Sequence, residues 1–272
     1  MKKLIKILLI FLFTISIIGF SPRANATSTP YKITKDQDGV YVIEILGHKV
    51  KDKLIPYVVP ELETNDSVFK STGAKLSVNA GFFDPKNKKT VSYVVINGEV
   101  VADPKENENL MGNTNLEEYM DEILNRSEFR ILEAEKGKIS YDIAPHNDKI
   151  QEGYKLKHSV QAGPMLLPDL RLEEEFFILK KDGKIISESA SSLHKYARTA
   201  IGIKGNNVYI FIITNDNPMT LEEVSNLAKR WGMEKAMAFD GGGSTSFETK
   251  DLYVISEKDD TARKLKSFLI IK

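Results

Sequence analysis

Beyond a polar opening segment, the chain consists mainly of short runs in which apolar or β-branched residues alternate with polar ones. Clear examples are residues 40–46, 54–59 and 75–79. Alternation of this kind predicts strands that bury one face. We therefore expect the folded domain to begin near Val40 and to extend over 40–272, with 27–39 forming a flexible lead-in.

Three pairs of these runs are separated by turn sequences and are predicted to form hairpins. Asn and Gly readily take the positive φ angles that two-residue hairpin turns require. The turns are Asn97-Gly98 between 91–96 and 99–102, Asp182-Gly183 between 176–180 and 185–187, and Gly205-Asn206-Asn207 between 199–203 and 208–213.

Two segments have the period of amphipathic helices. Thr114 with Glu117, and Thr220 with Glu223, have the spacing of a capping box, and Gly232 follows the second segment where a left-handed residue would end the helix. Their apolar faces are expected to pack into the core. The polar stretch 103–112 is expected to be a mobile insertion. Since no linker divides the chain, the predicted fold is a single α+β domain of mixed, largely antiparallel sheets with a few packed helices.

The first residues have the order of an export signal. Lys2, Lys3 and Lys6 precede an apolar stretch, 7–20, which is too short to span a bilayer, and Ala24-Asn25-Ala26 is a small-x-small cleavage site. We expect 1–26 to be a signal peptide cleaved after Ala26. The mature protein would then be secreted or held at the cell surface, with no stable membrane span after processing.

Composition excludes several kinds of protein. The chain has 38 basic and 38 acidic residues, and the signal region removes only basic ones, so the mature chain is slightly acidic. Nucleic-acid binding, which needs a basic surface, is not expected. Cysteine is absent. Disulfides, thiolate metal sites and cysteine nucleophiles are therefore excluded.

The residues with the clearest chemical signal follow a short strand at 236–239. Asp240 is followed by Gly241, Gly242 and Gly243, and then by the hydroxyls of Ser244 and Thr245. Consecutive glycines allow a backbone turn whose N–H groups converge on an anion, and the hydroxyls add further donors. The same residues would also suit an ordinary glycine-rich turn. From the glycines alone, both interpretations stay open.

Two further corners contain polar residues at strand ends. Arg198 begins a strand and could hold an oxyanion through its guanidinium, although an arginine in this position is usually a surface charge. Asn79 ends a strand and could hydrogen-bond a sugar hydroxyl or stabilise the corner. Gln161-Ala-Gly-Pro forms a third tight corner.

In their order along the chain, these segments resemble the phosphodiester glycosidase family. The resemblance runs from about Ala74 to the end of the chain. The matching segments are Asn79-Ala-Gly-Phe-Phe, Gln161-Ala-Gly-Pro, Arg198-Thr-Ala-Ile-Gly, Thr214-Asn-Asp-Asn-Pro-Met-Thr and Asp240-Gly-Gly-Gly-Ser. Ala80 departs from the pattern, because relatives often have glycine there.

The resemblance implies an enzyme that hydrolyses sugar-1-phosphodiesters and so acts on a glycosyl phosphate or a wall glycan. It implies that Asp240 is catalytic, that Arg198 clamps the phosphate, and that Asn79 and the loop 241–245 line the pocket. Asp216 and Asp84 are candidates for a second carboxylate, and Asp216 is also a candidate substrate ligand. Asp216 is equally suited to capping its turn.

No cofactor is required by the sequence. Asp216, Asn217 and Asp240 are oxygen ligands of the kind that calcium or magnesium accepts, but no metal motif is present. His194 is the histidine nearest in sequence to the proposed site, and we expect it to be a surface residue. The alternative function is a non-catalytic binding module for anionic cell-wall glycans.

Overall fold

A computed structural model describes residues 29–189, 191–256 and 261–272. The predicted signal peptide, 1–26, lies outside the described residues. Within the described part of the chain, no helix has both the length and the apolar character that a bilayer crossing needs.

Short strands make up most of the described structure. They are β1 Tyr31–Gln37, β2 Val40–Ile45, β3 Leu54–Glu63, β4 Leu76–Asn79, β5 Val94–Ile96, β6 Glu99–Ala102, β7 Ser127–Ala134, β8 Ile139–Pro145, β9 Tyr154–Gln161, β10 Met165–Leu167, β11 Ile178–Lys181, β12 Lys184–Glu188, β13 Arg198–Lys204, β14 Asn207–Ile213, β15 Lys235–Ala238, β16 Ser246–Thr249, β17 Tyr253–Ile255 and β18 Leu265–Ile271. The α-helices are α1 Gly47–Val50, α2 Asn65–Thr72, α3 Glu108–Met111, α4 Met120–Leu124 and α5 Leu221–Arg230. Single 3₁₀ turns occur at Pro104–Glu106, Glu117–Tyr119, Glu135–Gly137 and Gly242–Ser244.

The strands form three larger sheets and one separate hairpin. Their orders are β1-β2-β14-β13-β15-β10, β17-β16-β4-β18-β3, β6-β5-β9-β7-β8 and β11-β12. The described strand pairs within these sheets are antiparallel. The predicted predominance of antiparallel sheets is therefore confirmed.

Residues from all three sheets share one hydrophobic core. Its members include Ile43 and Ile201 of the six-stranded sheet, Leu76 from the second sheet, and Val94 and Ile131 from the third. Apolar burial of this extent is the main favourable term that holds the sheets together. Helix α5 packs on the other face of the six-stranded sheet through its apolar stripe, and α2 covers part of the second sheet.

The three predicted hairpins form. Asn97 and Gly98 have φ angles of 53° and 81°, and Asp182 and Gly183 have 51° and 73°. The third turn contains Gly205 at φ 57° between β13 and β14. The capping box of Thr220 and Glu223 is also present at the start of α5, and Gly232 follows that helix at φ 77°.

The predicted capping box at Thr114 does not form. Asn113 makes a local turn in its place, accepting the N–H of Asn115 on its side chain and that of Leu116 on its carbonyl oxygen. Regular helix starts only at α4, after a 3₁₀ turn at Glu117–Tyr119. A side chain that bonds nearby backbone groups competes with helix formation, which explains the later start.

Two segments predicted to be loose are regular. Residues 31–37 form β1 and pair along β2, so the expectation of a flexible segment is wrong there. The stretch 103–112 contains a 3₁₀ turn and α3 around the buried Asn107. This side chain accepts the N–H groups of Asn109 and Leu110 and donates to the carbonyl oxygen of Thr90.

Candidate active site

The candidate site is a cavity of about 320 Å³ where several chain segments meet beyond the ends of their strands. These segments follow β4, β9 and β15 or precede β13 and β18. The backbone is closely tied at this point, because Asp240 N–H donates to the carbonyl oxygen of Ala80 at 2.8 Å. The lining residues are Phe82, Gly163, Pro164, Phe177, Ser191, Tyr196, Arg198, Leu221, Ala238, Phe239, Asp240, Gly241, Gly242, Gly243 and Arg263.

Asp240 is the single carboxylate on this lining in the described part of the chain. It lies deep among protein atoms yet keeps partial access through the cavity. Burial raises the pKa of Asp240 to about 6, while Ser244, Arg263 and the N–H of Gly241 favour the ionised form and oppose the shift. A cleft carboxyl with a pKa this close to neutrality is suited to moving protons or to attacking as a carboxylate.

The glycine loop is a tight turn whose amides are mostly occupied. The N–H of Gly242 donates to Ala197 O at 2.7 Å, and those of Ser244 and Thr245 donate to Gly241 O and Gly242 O. The predicted convergence of consecutive N–H groups on an anion is therefore not formed. Gly241 serves close packing instead, because a Cβ there would lie 3.1 Å from Ala197 O, and Gly242 supplies a positive φ of 57°.

Ser244 and Thr245 do not line the cavity as predicted. Both side chains are fully buried, and the Thr245 hydroxyl has no hydrogen-bond partner among the described residues, whereas Ser244 acts on Asp240 from inside the protein. The 3₁₀ turn at Gly242–Ser244 directs the chain back into β16, so the residues after it enter the protein interior.

Asn79 is likewise a structural residue. Its side-chain N–H donates to Asp240 O at 2.5 Å, and its oxygen accepts from Thr199 Oγ1 at 2.8 Å and from Ser246 N at 3.1 Å. The amide is buried and absent from the cavity lining. These hydrogen bonds hold Asn79 in the corner and agree with its predicted stabilising role, rather than with the predicted sugar contact.

Arg198 lines the cavity, but its guanidinium is committed to backbone carbonyls. Nε donates to Met219 O at 3.0 Å, and Nη2 donates to Ser191 O at 2.6 Å and His194 O at 2.7 Å. Burial lowers the pKa of Arg198 to about 10, which still leaves it charged near neutral pH. These bonds bring together the loop before β13 and the turn before α5. The arrangement assigns Arg198 a structural role and argues against the predicted phosphate clamp.

The other predicted polar residues lie away from the cavity. Asp216 is exposed and hydrogen-bonds with Thr214 Oγ1 inside its own turn, in keeping with the capping alternative. Asp84 accepts from Asn109 Nδ2 at 2.7 Å and from Lys86 N at 2.8 Å, and the bond from Asn109 is the main cause of its lowered pKa. His194 is exposed, as expected, and lies beside Glu188.

The oxygen ligands considered for a cation are not assembled. Asp240 faces the cavity, whereas Asp216 and Asn217 belong to a separate turn. Across the described ranges, no three acidic, histidine or cysteine side chains come together in an arrangement that could hold a metal ion.

Sequence reasoning missed the aromatic wall and one cation. Phe82 and Phe177 lie with ring centroids 6.0 Å apart, and the Arg126 guanidinium packs 4.1 Å from the Phe177 centroid. Phe82 belongs to the motif that starts at Asn79, so its position could have been inferred. Arg263 precedes β18 and also lines the cavity, but no local motif marks it.

Glu175 supports the corner at Gly163, which lines the cavity. Its carboxylate accepts the N–H and hydroxyl of Ser127 at 3.0 and 2.7 Å and the N–H of Met165 at 3.0 Å. Burial raises the pKa of Glu175. Gly163 has φ 102° and leaves no room for a Cβ beside this carboxylate. The glycine of the Gln161 motif is thus required by close packing and by its backbone angle.

Solved structures show the fold class to which this arrangement belongs. A hypothetical protein from Synechocystis matches with TM-score 0.57 at 14% identity, over 89% of this chain and 61% of that one. The catalytic domain of zebrafish N-acetylglucosamine-1-phosphodiester alpha-N-acetylglucosaminidase, auto-inhibited by its pro-peptide, matches with TM-score 0.59 at 14% identity, over 89% and 81% of the two chains. A protein of Burkholderia pseudomallei K96243 matches with TM-score 0.61 at 12% identity, over 85% and 73%.

The sequence itself assigns the family. The family model for phosphodiester glycosidases matches residues 72–272, and the chain belongs to this family. A comparison with curated proteins gave no match.

Proposed function

We propose that this protein is an exported glycosidase that hydrolyses sugar-1-phosphodiester linkages in cell-surface or extracellular glycoconjugates. The observation that carries the proposal is the position of Asp240. It is a carboxyl with a pKa of about 6 on the lining of a cavity that also has aromatic walls and a cation. Family membership supports the type of reaction.

A phosphate leaving group is compatible with a cavity that has a single carboxylate among its described lining residues. Most glycosidases use a second carboxyl group to protonate the departing oxygen. A phosphate departs as an anion and needs less protonation, so a nearby cation can stabilise its growing charge. In the proposed reaction the bond between the anomeric carbon and the phosphate oxygen breaks, and its electron pair leaves with the phosphate. Water supplies the oxygen that replaces it.

Asp240 would act in its ionised form, either by removing a proton from water or by attacking the anomeric carbon. Because the pKa of Asp240 is about 6, kcat/KM should decrease as the pH falls below that value. The aromatic side chains of Phe82 and Phe177 give the cavity an apolar wall against which the less polar face of a sugar ring would pack.

A screen of sugar-1-phosphodiesters with the mature protein tests the proposal. We expect release of free sugar from at least one of them and loss of that release in Asp240→Asn. If wall polymer binds but no phosphodiester is hydrolysed, the enzyme proposal fails and the binding-module alternative gains support.

Export rests on the sequence of the first 26 residues, which lie outside the described part of the chain. N-terminal sequencing of secreted protein should find Thr27 as the first residue. A chain that keeps Met1 to Phe20 would show that this proposal is wrong.

A further inference from the structure

Among the described residues, the cavity lining contains two arginines, of which Arg198 is buried and Arg263 is exposed. Arg198 is buried, and three of its hydrogen bonds go to the carbonyl oxygens of Met219, Ser191 and His194. Moving this guanidinium onto a ligand would break three hydrogen bonds at once, one of them buried, which is costly. Arg198 is therefore poorly suited to binding and releasing a substrate.

Arg263 is exposed and packs against an aromatic ring. Its guanidinium carbon lies 5.3 Å from the ring centroid of Phe83, a cation–π contact that supports the side chain while its charged head stays in solvent. No carboxylate of the described residues pairs with it. Its charged head is exposed and on the cavity lining, where a ligand in the cavity can reach it.

Arg263 also lies close to the glycine loop and to Asp240. A Cβ built on Gly243 would lie 3.8 Å from Arg263 Cδ and 3.9 Å from Nη1, so the side chain runs along the glycine loop. Its charge also reaches Asp240, since it is one of the groups that favour the ionised carboxyl. An anion held by Arg263 would therefore lie beside the group proposed to react.

We propose that Arg263 binds the phosphate of the substrate at the Asp240 cavity, a role that rests on the proposed function for the identity of its ligand. A guanidinium offers paired N–H groups that match two oxygens of a phosphate. This contact selects charged sugar phosphates over neutral glycosides. It also places a positive charge where the leaving group develops its negative one.

Titration calorimetry with glucose 1-phosphate and with inorganic phosphate tests this role without requiring turnover. We expect Arg263→Gln to weaken the binding of both probes by at least about tenfold, and Arg263→Lys to fall between it and the wild type. Lys264→Gln is the matched control, because it removes a neighbouring exposed cation that is absent from the cavity lining. Its affinities should stay within about twofold of the wild type.

Equal thermal midpoints for the variants would show that the fold is kept. Unchanged affinity in Arg263→Gln, or failure of the wild type to bind either probe, would overturn the inference. The result is separable from the proposed function. Binding that depends on Arg263 without hydrolysis of any phosphodiester would count against the enzyme but not against the anion site. Hydrolysis with an unchanged KM in Arg263→Gln would count against Arg263 alone.

Discussion

The corner around Asp240 and the part of β16 that packs against helix α2 each contain a carboxyl group whose pKa is raised by burial, but their surroundings differ. Asp240 opens into a cavity with an exposed arginine, and its pKa is about 6. Glu248 on β16 is only 7% exposed, and burial together with the charge of Asp66 raises its pKa to about 7. Its Oε2 has no hydrogen-bond partner among the described residues.

The comparison shows that a raised pKa does not by itself identify a reactive group. Both carboxyls are perturbed mainly by loss of water, but only Asp240 adjoins a space that a substrate could enter. Glu248 is covered by α2, whose Asp66 and Lys70 form an ion pair beside it. A catalytic carboxyl needs access to substrate as well as a raised pKa, and only Asp240 combines the two here.

The largest expected effect is the difference in kcat/KM between variants of Asp240 and of Glu248. Asp240→Asn should lower kcat/KM by at least about 100-fold, the loss typical of a general acid or base. Glu248→Gln should stay within about twofold of wild type, since the group has no access to the cavity. Steady-state kinetics on any hydrolysed phosphodiester gives both values. A larger loss in Glu248→Gln at unchanged stability would reverse the assignment.

Arg198 provides the next contrast, this time with Arg263. Arg198→Gln removes a buried arginine and its hydrogen bonds to three carbonyl groups, and should lower the free energy of unfolding by about 2–4 kcal/mol. Arg263→Gln should change it by less than about 0.5 kcal/mol, because the side chain is exposed. Urea unfolding of the two variants makes the comparison. An Arg198→Gln protein with wild-type stability but little activity would support the phosphate clamp after all.

The burial of Glu248 beside α2 predicts a pH-dependent effect on stability. The pKa of Glu248 is higher in the folded protein than its ordinary value of 4.5, so the folded state keeps its proton more tightly. The contribution of Glu248 to the free energy of unfolding is fully present below about pH 4.5. It declines as the pH rises toward about 7 and stays reduced above that. Glu248→Gln should therefore stabilise the protein by about 1–2 kcal/mol at pH 8, with little gain at pH 4. An equal effect at both pH values would contradict this explanation.

The smallest expected effect concerns the glycine loop. Gly242 has φ 57°, but a Cβ there would meet no atom within 4 Å. Gly242→Ala should therefore cost only the backbone strain, about 1 kcal/mol, in thermal or urea unfolding. Gly241→Ala is the comparison, because its Cβ would approach Ala197 O at 3.1 Å. Equal losses in both variants would show that the close approach is not what constrains the loop.

Local sequence patterns correctly predicted the hairpin turns and the start of α5, which depend on interactions between residues a few positions apart. Turn residues such as Asn97-Gly98 and the Thr220 capping box act within a few positions, and both are present. Strand β1 was missed because its polar residues pair along β2 without a buried apolar face. At Thr114 the side chain of Asn113 offered a competing local turn.

The site was harder to predict because its contacts span long distances in sequence. The motif indicated Asp240 correctly as a cavity residue, but Asn79 and Arg198 carry signals that suit structural and binding roles equally. Only the fold shows that Asn79 bonds to Thr199 and that Arg198 bonds to Met219. Arg263 comes from a distant segment and reaches the cavity through the pairing of β18 with β4.

The central claim is that the bond broken is the one between the sugar and the phosphate oxygen. Hydrolysis of a sugar-1-phosphodiester in water labelled with heavy oxygen, followed by mass analysis of both products, tests it most directly. A glycosidase acting through Asp240 should place the label on the anomeric hydroxyl of the released sugar and none on the phosphate monoester. Label in the phosphate would show cleavage of the phosphorus–oxygen bond and contradict the account.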